Sequence, residues 1–261
     1  MEQVINFFTP NKVWGRKPMI LALIAWIVLM FMFWYTRSAA IPRPLAVIGA
    51  FPRLLESGML VDLGISILLN LEALLLSTII SLILSYSTVY PWMRPAVGAV
   101  VKMCFLGLTG LTYFFTLATS GGHQMKVAIL VFGMTAYFTR SMVDVVAKIP
   151  KVNFDHVRTM RSNEFRVVWE VVIRGTRDQA IDVMRQNAAV GWMMLTMVEA
   201  LCKGDGGIGV MLVNADKFKY SMAPVMAIQV VILIVGLTND ALIFGLKKLL
   251  CEYAFVKLER K

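Results

Sequence analysis

Runs of about 20 apolar residues recur along this 261-residue chain and constrain its fold more than any other feature. A helix of about 20 residues crosses the hydrocarbon core of a membrane, which is roughly 30 Å thick. Backbone polar groups in lipid must be satisfied within the chain, so each run is expected to be a helix. Six spans are predicted, over residues 18–35, 62–87, 95–118, 126–147, 184–202 and 222–249.

The composition supports a membrane protein. Hydrophobic residues make up 58% of the chain and charged residues 16%, whereas soluble domains carry about a quarter charged residues. We therefore predict an all-α, polytopic membrane protein with about six transmembrane helices. Its transmembrane domain covers residues 18–249, between an N-terminal segment 1–17 and a tail 250–261. The first run exceeds the roughly 7–15 apolar residues of a signal-peptide core, so a retained span is favoured over a cleaved signal.

The distribution of basic residues sets the predicted orientation. If the N-terminus is cytoplasmic, eighteen Lys and Arg residues fall on the cytoplasmic side and six on the outer side. Cytoplasmic loops of membrane proteins carry such an excess, so both termini are predicted to be cytoplasmic. The net charge of +10 comes from residues that flank apolar runs, where anionic membrane lipid accounts for it. Nucleic acid is therefore not expected as a partner.

One long charged segment, residues 148–183, separates the fourth and fifth predicted spans. Pro150 interrupts the preceding helix, and Gly175 ends the apolar pattern that follows. Val157 and Met160 recur near helical spacing beneath charged neighbours. The pattern predicts one or two short amphipathic helices on the cytoplasmic side. A loop lying on the lipid headgroups fits the pattern equally well.

Charged side chains inside the predicted spans are costly in lipid and are therefore functional candidates. Arg140 and Asp144 are four residues apart on one helical face and are predicted to pair. Lys102 is expected to extend its amine toward the membrane surface, with solute contact as the alternative. Glu72 fits a solute pathway and a pairing with another helix equally well. Glu199 lies near the outer end of the fifth predicted span.

Small residues recur every four positions in the second predicted span, at Ala73, Ser77, Ser81 and Ser85. This spacing gives one helical face that another backbone can approach closely. A packing seam within the subunit is favoured over a dimer seam or the wall of a pore.

No catalytic or cofactor-binding pattern is present in the sequence. It contains no Walker A motif, and the glycines within residues 204–209 lack the Gly-Lys-Ser/Thr ending of a phosphate-binding loop. A tight turn of the chain accounts for these glycines better. His123, His156 and three scattered cysteines offer no metal-ligand spacing. We predict a protein that is not an enzyme and that holds no cofactor or metal of its own.

The charged segment resembles the EAA loop of ABC importer permeases. Asp155, Arg158 and Met160 match the family's Glu-Ala-Ala-Arg-x-Leu pattern, and the apolar residues 171–173 match the hydrophobic stretch that follows it. In the family this loop forms the coupling helix, which docks in a groove of the ATP-hydrolysing subunit. The resemblance therefore implies a docking role for this segment.

Two positions depart from the family pattern. Arg161 stands where the family has Gly, and Arg174-Gly175 stands where it has Leu-Pro. These departures bear on the strength of coupling, or on the identity of the ATPase partner, more than on the fold.

Two further stretches are similar to the nitrate/sulfonate/taurine branch of that family. Residues 42–44 resemble its Pro-Ser-Pro segment after the first span. Residues 198–200 followed by residues 207–209 resemble its Ala-Glu and Gly-Leu-Gly pattern before the last span. The motifs occur in the family's order over most of the chain, which supports the resemblance to the family. The resemblance to this branch favours a small solute as substrate, such as an oxyanion or a sulfonate.

The resemblance implies a type I ABC importer permease fold in a bacterial cytoplasmic (inner) membrane. It implies separate ATPase subunits that bind ATP, a periplasmic or lipoprotein substrate-binding protein, and a second permease copy, with a homodimer expected. The expected ATPase-coupling residues are Asp155, Arg158, Met160, Arg161, Glu164 and Phe165. The candidates for an outer gate or a solute pathway are Glu199, Gly207, Gly209, Glu72 and Lys102.

Two functions of other classes fit the same sequence. An ATP-independent membrane scaffold or assembly factor would use the charged segment to recruit a soluble partner. An ion-coupled secondary transporter would use Glu72, Lys102 and Asp240. Co-purification with an ATPase separates the importer from both.

Overall fold

The computed structural model describes residues 16–36, 42–119, 121–202, 204, 206–216 and 222–252. All regular structure within these residues is helical, as predicted. The predicted N-terminal segment 1–17 and tail 250–261 lie almost entirely outside the described residues.

Eleven α-helices follow one another along the described chain, with two short non-α helical pieces between them. A 3₁₀ turn covers Met103–Phe105, and a π-helix covers Val168–Arg174. The α-helices are α1 (Arg16–Thr36), α2 (Pro44–Glu56), α3 (Met59–Ser87), α4 (Arg94–Lys102), α5 (Leu108–Ala118), α6 (Gly122–Ala147), α7 (Lys151–Thr159), α8 (Glu164–Val167), α9 (Arg177–Leu201), α10 (Ile208–Asp216) and α11 (Ala223–Leu250).

Four of the described helices, α1, α3, α6 and α11, are long and apolar enough to cross a membrane. The predicted third span, residues 95–118, is not one straight helix. It is a pair of helices, α4 and α5, bent by 113° at the break between them. Leu106 and Gly107 are extended there, and glycine has a low helix propensity. Hydropathy does not show the break because the residues around it are apolar.

Helix α9 contains the predicted fifth span, residues 184–202, up to Leu201, but is less apolar than the four long spans. It contacts α3, α6, α10 and α11 and so lies at the centre of the bundle. Its side chains Asn187 and Glu199 are buried. A helix surrounded by other helices meets protein more than lipid, which is why α9 carries polar residues that a lipid-facing span excludes.

The main core forms where α3 packs along α6 with α9 against both. Ala73, Ser77, Ser81 and Ser85 are fully buried. Ser81 Oγ donates a hydrogen bond to the backbone oxygen of Thr135 in α6, at 3.2 Å. The small-residue stripe is therefore a packing seam within the subunit, as predicted.

A second core joins α2 to α10 and α11. Pro44 stands in the first turn of α2, where a proline costs no backbone hydrogen bond. Val47, Ala50 and Leu54 form the buried face of α2. The apolar face of α2 is therefore covered by other helices of the chain.

Candidate functional site

The charged segment forms an arm, residues 148–176, that connects α6 directly to α9. Pro150 has an extended backbone, and α7 begins at the next residue. After α7 the chain turns at Arg161, which has a positive φ of 54°. Helix α8 and the π-helix then lead back to α9. The arm is thus two short helical pieces joined by a turn, one of the forms that the sequence predicts.

The turn of the arm is held by an ion pair. Arg158 donates from Nε to Glu164 Oε1 at 2.9 Å and from Nη2 to Glu164 Oε2 at 3.0 Å. Such two-point pairing fixes the orientation of both side chains. Asp155 lies one turn earlier, with Oδ1 at 3.5 Å from Arg158 Nη1. The hydrogen bonds from Arg158 lower the pKa of Glu164, and the same bonds raise the pKa of Arg158.

Large apolar side chains of the arm remain uncovered. Met160 and Phe165, on either side of the turn, are each 72% exposed. Trp169 in the π-helix is half exposed. Because exposed apolar side chains gathered on a charged segment mark contact surfaces, the tip of the arm is a candidate docking surface.

The return half of the arm has an unusual backbone. The amide of Gly175 donates to the carbonyl of Glu170 at 3.1 Å, which is a π-type hydrogen bond. A Cβ at Gly175 would overlap the backbone oxygen of Val171. Thr176 then donates to the carbonyl of Val172 at 2.7 Å and lies 3.5 Å from the hydroxyl of Tyr86 in α3. Gly175 therefore suits this backbone, although the family pattern has Leu-Pro here.

A buried polar cluster, called here the clasp, lies at the opposite end of α3 and α9 from the arm. Glu199 of α9 is fully buried. Its Oε1 accepts from Ser66 Oγ at 2.6 Å, and its Oε2 accepts from the amide of Gly209 at 2.8 Å. The amide of Ile208 in turn donates to Ser66 Oγ at 2.8 Å. The carboxylate thereby joins α3, α9 and the start of α10.

Two more charged residues hold the same loop. Asp62 Oδ1 accepts from the amide of Gly207 at 3.1 Å. Lys126 of α6 is almost fully buried, and its Nζ donates to the backbone oxygen of Gly206 at 3.1 Å. The sequence identifies Glu199 as a candidate but does not identify Asp62 or Lys126 as its neighbours. Lys126 could have been recognised as a lone lysine at the start of an apolar run, because such a charge needs hydrogen-bond acceptors from elsewhere in the fold.

The remaining pathway candidates lie apart from the clasp. Glu72 Oε2 lies 2.9 Å from His123 Nε2 of α6, and both side chains are about half exposed. The structure thus shows the pairing alternative for Glu72. Lys102 is exposed at the end of α4 and forms no hydrogen bond or ion pair with any described residue. The structure does not bring Glu72, Lys102 and Glu199 together in one ion-paired group.

The predicted pair of Arg140 and Asp144 is wrong. Arg140 instead lies over the ring of Phe105, 5.8 Å from its centroid, with Nη1 3.7 Å from Cys104 Sγ. Asp144 is exposed and makes no ion pair with a described residue. The helical spacing allowed the pair, but the aromatic ring at the break between α4 and α5 offers the guanidinium a competing contact.

Two ion pairs link α9 to α11 on the arm side of the bundle. Arg185 Nε lies 2.5 Å from Asp240 Oδ1, and Lys247 Nζ lies 2.6 Å from Asp182 Oδ2. Arg185 also lies over the ring of Phe244, 5.4 Å from its centroid. The helix that leaves the arm is therefore tied to the last helix of the bundle.

No group of three or more His, Cys, Asp and Glu residues that would hold a metal occurs in the part of the chain that the structure describes. The charged groups of the clasp are hydrogen-bonded to backbone groups and to Ser66, and the arm presents an apolar tip.

These features define the chain as an all-α, polytopic membrane protein with an arm between two core helices. No protein-family model matches the chain, and no curated protein matches it. Among solved structures it is similar to a chain of the MetNI methionine ABC transporter in inward-facing conformations. The TM-score is 0.51 and the identity 14%, over 71% of this chain and 90% of that one. The likeness shows the fold, which this chain shares with that transporter chain.

Proposed function

We propose that this chain is the permease subunit of an ATP-driven ABC importer. It would form part of the solute pathway and hydrolyse no ATP itself. The observation that carries the proposal is the arm: in a fold shared with an ABC transporter chain, it leaves Met160 and Phe165 72% exposed on either side of its turn. An ATPase subunit would cover this tip.

The arm is well placed to pass movement to the membrane helices. It joins α6 and α9 without a further linker, and Thr176 lies against Tyr86 of α3. From α9, the pairs of Arg185 with Asp240 and of Lys247 with Asp182 reach α11. ATP would act by making the ATPase bind the arm better in one conformation than in another, since only such a difference shifts the equilibrium.

The coupling residues fall into two roles in this proposal. Met160 and Phe165 would enter the apolar groove of the ATPase, with Arg161 beside them on the turn. Arg158 and Glu164 would keep the two halves of the arm in register through their ion pair. Asp155 would support Arg158 from the preceding turn.

The clasp would serve as the outer gate. It closes the connection between α9 and α10 at the end of the bundle away from the arm, through Glu199, Gly207 and Gly209. Glu72 and Lys102 remain candidates for the solute pathway, since exposed charges on membrane helices favour water or protein over lipid.

The full assembly in this proposal contains a second permease copy, two ATPase subunits and an outer substrate-binding protein. Both termini and the arm would face the cytoplasm, as the excess of basic residues predicts. The membrane would be a bacterial inner membrane, as the resemblance to the permease family implies. A small solute of the kind carried by the nitrate/sulfonate/taurine branch remains the proposed substrate class.

Co-purification tests the proposal. The affinity-tagged chain, expressed with the subunits of its native complex, should retain an ATPase whose activity in liposomes depends on this chain. M160D/F165D should abolish retention, because buried apolar contacts would be replaced by unpaired charges. M222D is the control, since Met222 is also exposed but lies just before α11 at the clasp end, and it should retain the ATPase.

Other outcomes identify the rival functions. Uptake that persists without the ATPase but stops when the proton gradient is collapsed would identify an ion-coupled transporter. A retained partner without nucleotide hydrolysis would identify a scaffold. Either result would overturn the importer proposal.

A further inference from the structure

A cavity of about 810 Å³ lies between α7 of the arm and the adjoining ends of α4 and α6. Its membrane-side wall is apolar and is formed by Val97, Val101, Val143 and Val146. The volume is within the range of roughly 300–1,000 Å³ that is usual for small-molecule sites. Met160 and Phe165, which would enter the ATPase, do not line this space, whereas Asp155 and Arg158 of α7 do.

Three cations and one carboxylate line the cavity: Arg94, Lys151, Arg158 and Asp155. Arg158 is matched by Asp155 and by Glu164. Arg94 donates Nε to the backbone oxygen of Thr88 at 3.0 Å, and neither it nor Lys151 pairs with a carboxylate among the described residues. The cavity therefore carries two positive charges that the described part of the chain does not neutralise.

Exposed aromatic residues place these cations at the edge of the membrane. The turn between α3 and α4 carries Tyr90, 45% exposed, and Trp92, 76% exposed, immediately before Arg94. Tyr and Trp concentrate at membrane–water interfaces. The cationic rim is therefore expected at headgroup depth, with the valine wall along the spans.

We propose that this cavity binds an anionic phospholipid from the leaflet nearest the arm. Arg94 and Lys151 would hold the headgroup phosphate, since basic pockets between membrane helices suit anionic headgroups. The first part of an acyl chain would lie along Val97 and Val101. A bound lipid would bridge the arm and the ends of the spans. A free phosphate would leave the valine wall unused, and a zwitterionic lipid would leave the two charges unmatched.

Binding to the purified chain in detergent, followed by native mass spectrometry, tests the site. The probes are palmitoyl-oleoyl phosphatidylglycerol, the matching phosphatidylcholine, and inorganic phosphate. Phosphatidylglycerol should bind at least about tenfold more tightly than phosphatidylcholine. R94Q/K151Q should weaken it roughly 30-fold, which is about fivefold for each charge removed. The control R43Q/R53Q removes the same charge at α2 and should bind phosphatidylglycerol like the parent.

A second variant fills the cavity without changing its charge. Gly98 lines the cavity on α4, and a Cβ there would meet no atom within 4 Å. G98L should keep the thermal unfolding temperature of the parent and lose phosphatidylglycerol. G245L, at an equally open glycine on α11, should keep it.

Several results would overturn the lipid site. Equal binding of phosphatidylglycerol and phosphatidylcholine would show that Arg94 and Lys151 do not select an anionic headgroup. Complete displacement of phosphatidylglycerol by inorganic phosphate would show a phosphate site instead. Unchanged lipid binding in G98L would place the lipid elsewhere on the surface.

Discussion

Ser66 and Glu199 are 133 residues apart in the sequence, and a buried hydrogen bond of 2.6 Å joins them. Ser66 stands two turns into α3, and Glu199 stands in the last turn of α9. Because Glu199 also accepts from the amide of Gly209, one carboxylate determines where the chain turns from α9 into α10. Asp62 and Lys126 hold the neighbouring residues Gly207 and Gly206 of the same loop.

Replacing Glu199 should destabilise the fold. E199A leaves two buried donors, Ser66 Oγ and the Gly209 amide, without their acceptor, at about 1–3 kcal/mol each. E199Q should lose about half as much, because its oxygen can accept from Gly209 while its amide donates to Ser66 Oγ. Thermal unfolding of the purified protein measures both. E72A is the control, since Glu72 is half exposed and such pairs contribute little. An E199A protein as stable as the parent would contradict the assignment.

Gly207 should tolerate no side chain. Its φ is +114°, and a Cβ would overlap the carboxylate of Glu199. G207A should therefore open the loop between α9 and α10, because backbone strain of about 1–2 kcal/mol adds to the overlap. Limited proteolysis across residues 202–208 measures the opening. Gly204 lies in the same loop with free space around it and no positive φ, so G204A should be cleaved like the parent. Similar cleavage of the two variants would argue against a clasp.

Arg161 adopts the left-handed conformation at the position where the resembled family has glycine. Its φ is 54°, which costs a residue with a side chain about 1–2 kcal/mol. R161G should therefore strengthen the turn and slow amide hydrogen exchange in the arm by severalfold. R166G makes the same replacement within helical backbone and should speed that exchange, since glycine costs about 1 kcal/mol there. If Arg161 also contacts the ATPase, R161G should lower co-purification while the arm becomes more protected. Faster exchange in R161G would show that Arg161 stabilises the turn.

Local sequence patterns predicted the helices well and their interruptions less well. The apolar runs locate α1, α3, α6 and α11 because length and hydropathy are local properties. The bend at Gly107 escaped prediction, since apolar residues continue through it and no polar residue marks the turn. Pro150 and Gly175 predicted the two ends of the arm, because each residue alters the allowed backbone conformation at its own position.

The functional contacts depended on partners distant in sequence. Glu199 stood out as a carboxylate in an apolar run, but nothing near it indicated Ser66, Asp62 or Lys126. Conversely, the neighbouring Arg140 and Asp144 suggested a pair that the fold does not make. Spacing along one helix defines which contacts are possible, whereas tertiary packing decides which of them form. The left-handed turn at Arg161 is an intermediate case. Arg161 itself does not predict the turn, but the glycine that the resembled family has at this position does.

The pair of Arg158 and Glu164 should set how the arm responds to acid. The hydrogen bonds from Arg158 lower the pKa of Glu164, so the pair stabilises the arm above the ordinary glutamate pKa of about 4.3. This stabilisation should be lost as the pH falls through the lower, folded pKa. Carbon-13 NMR of the glutamate carboxyls, with E164Q to assign the signal, measures that titration. R158Q should return the midpoint toward the ordinary value, whereas R166Q removes a neighbouring arginine that makes no ion pair with a described residue and should leave the midpoint nearly unchanged. An unshifted midpoint in the parent would mean that the pair does not hold the two halves of the arm together.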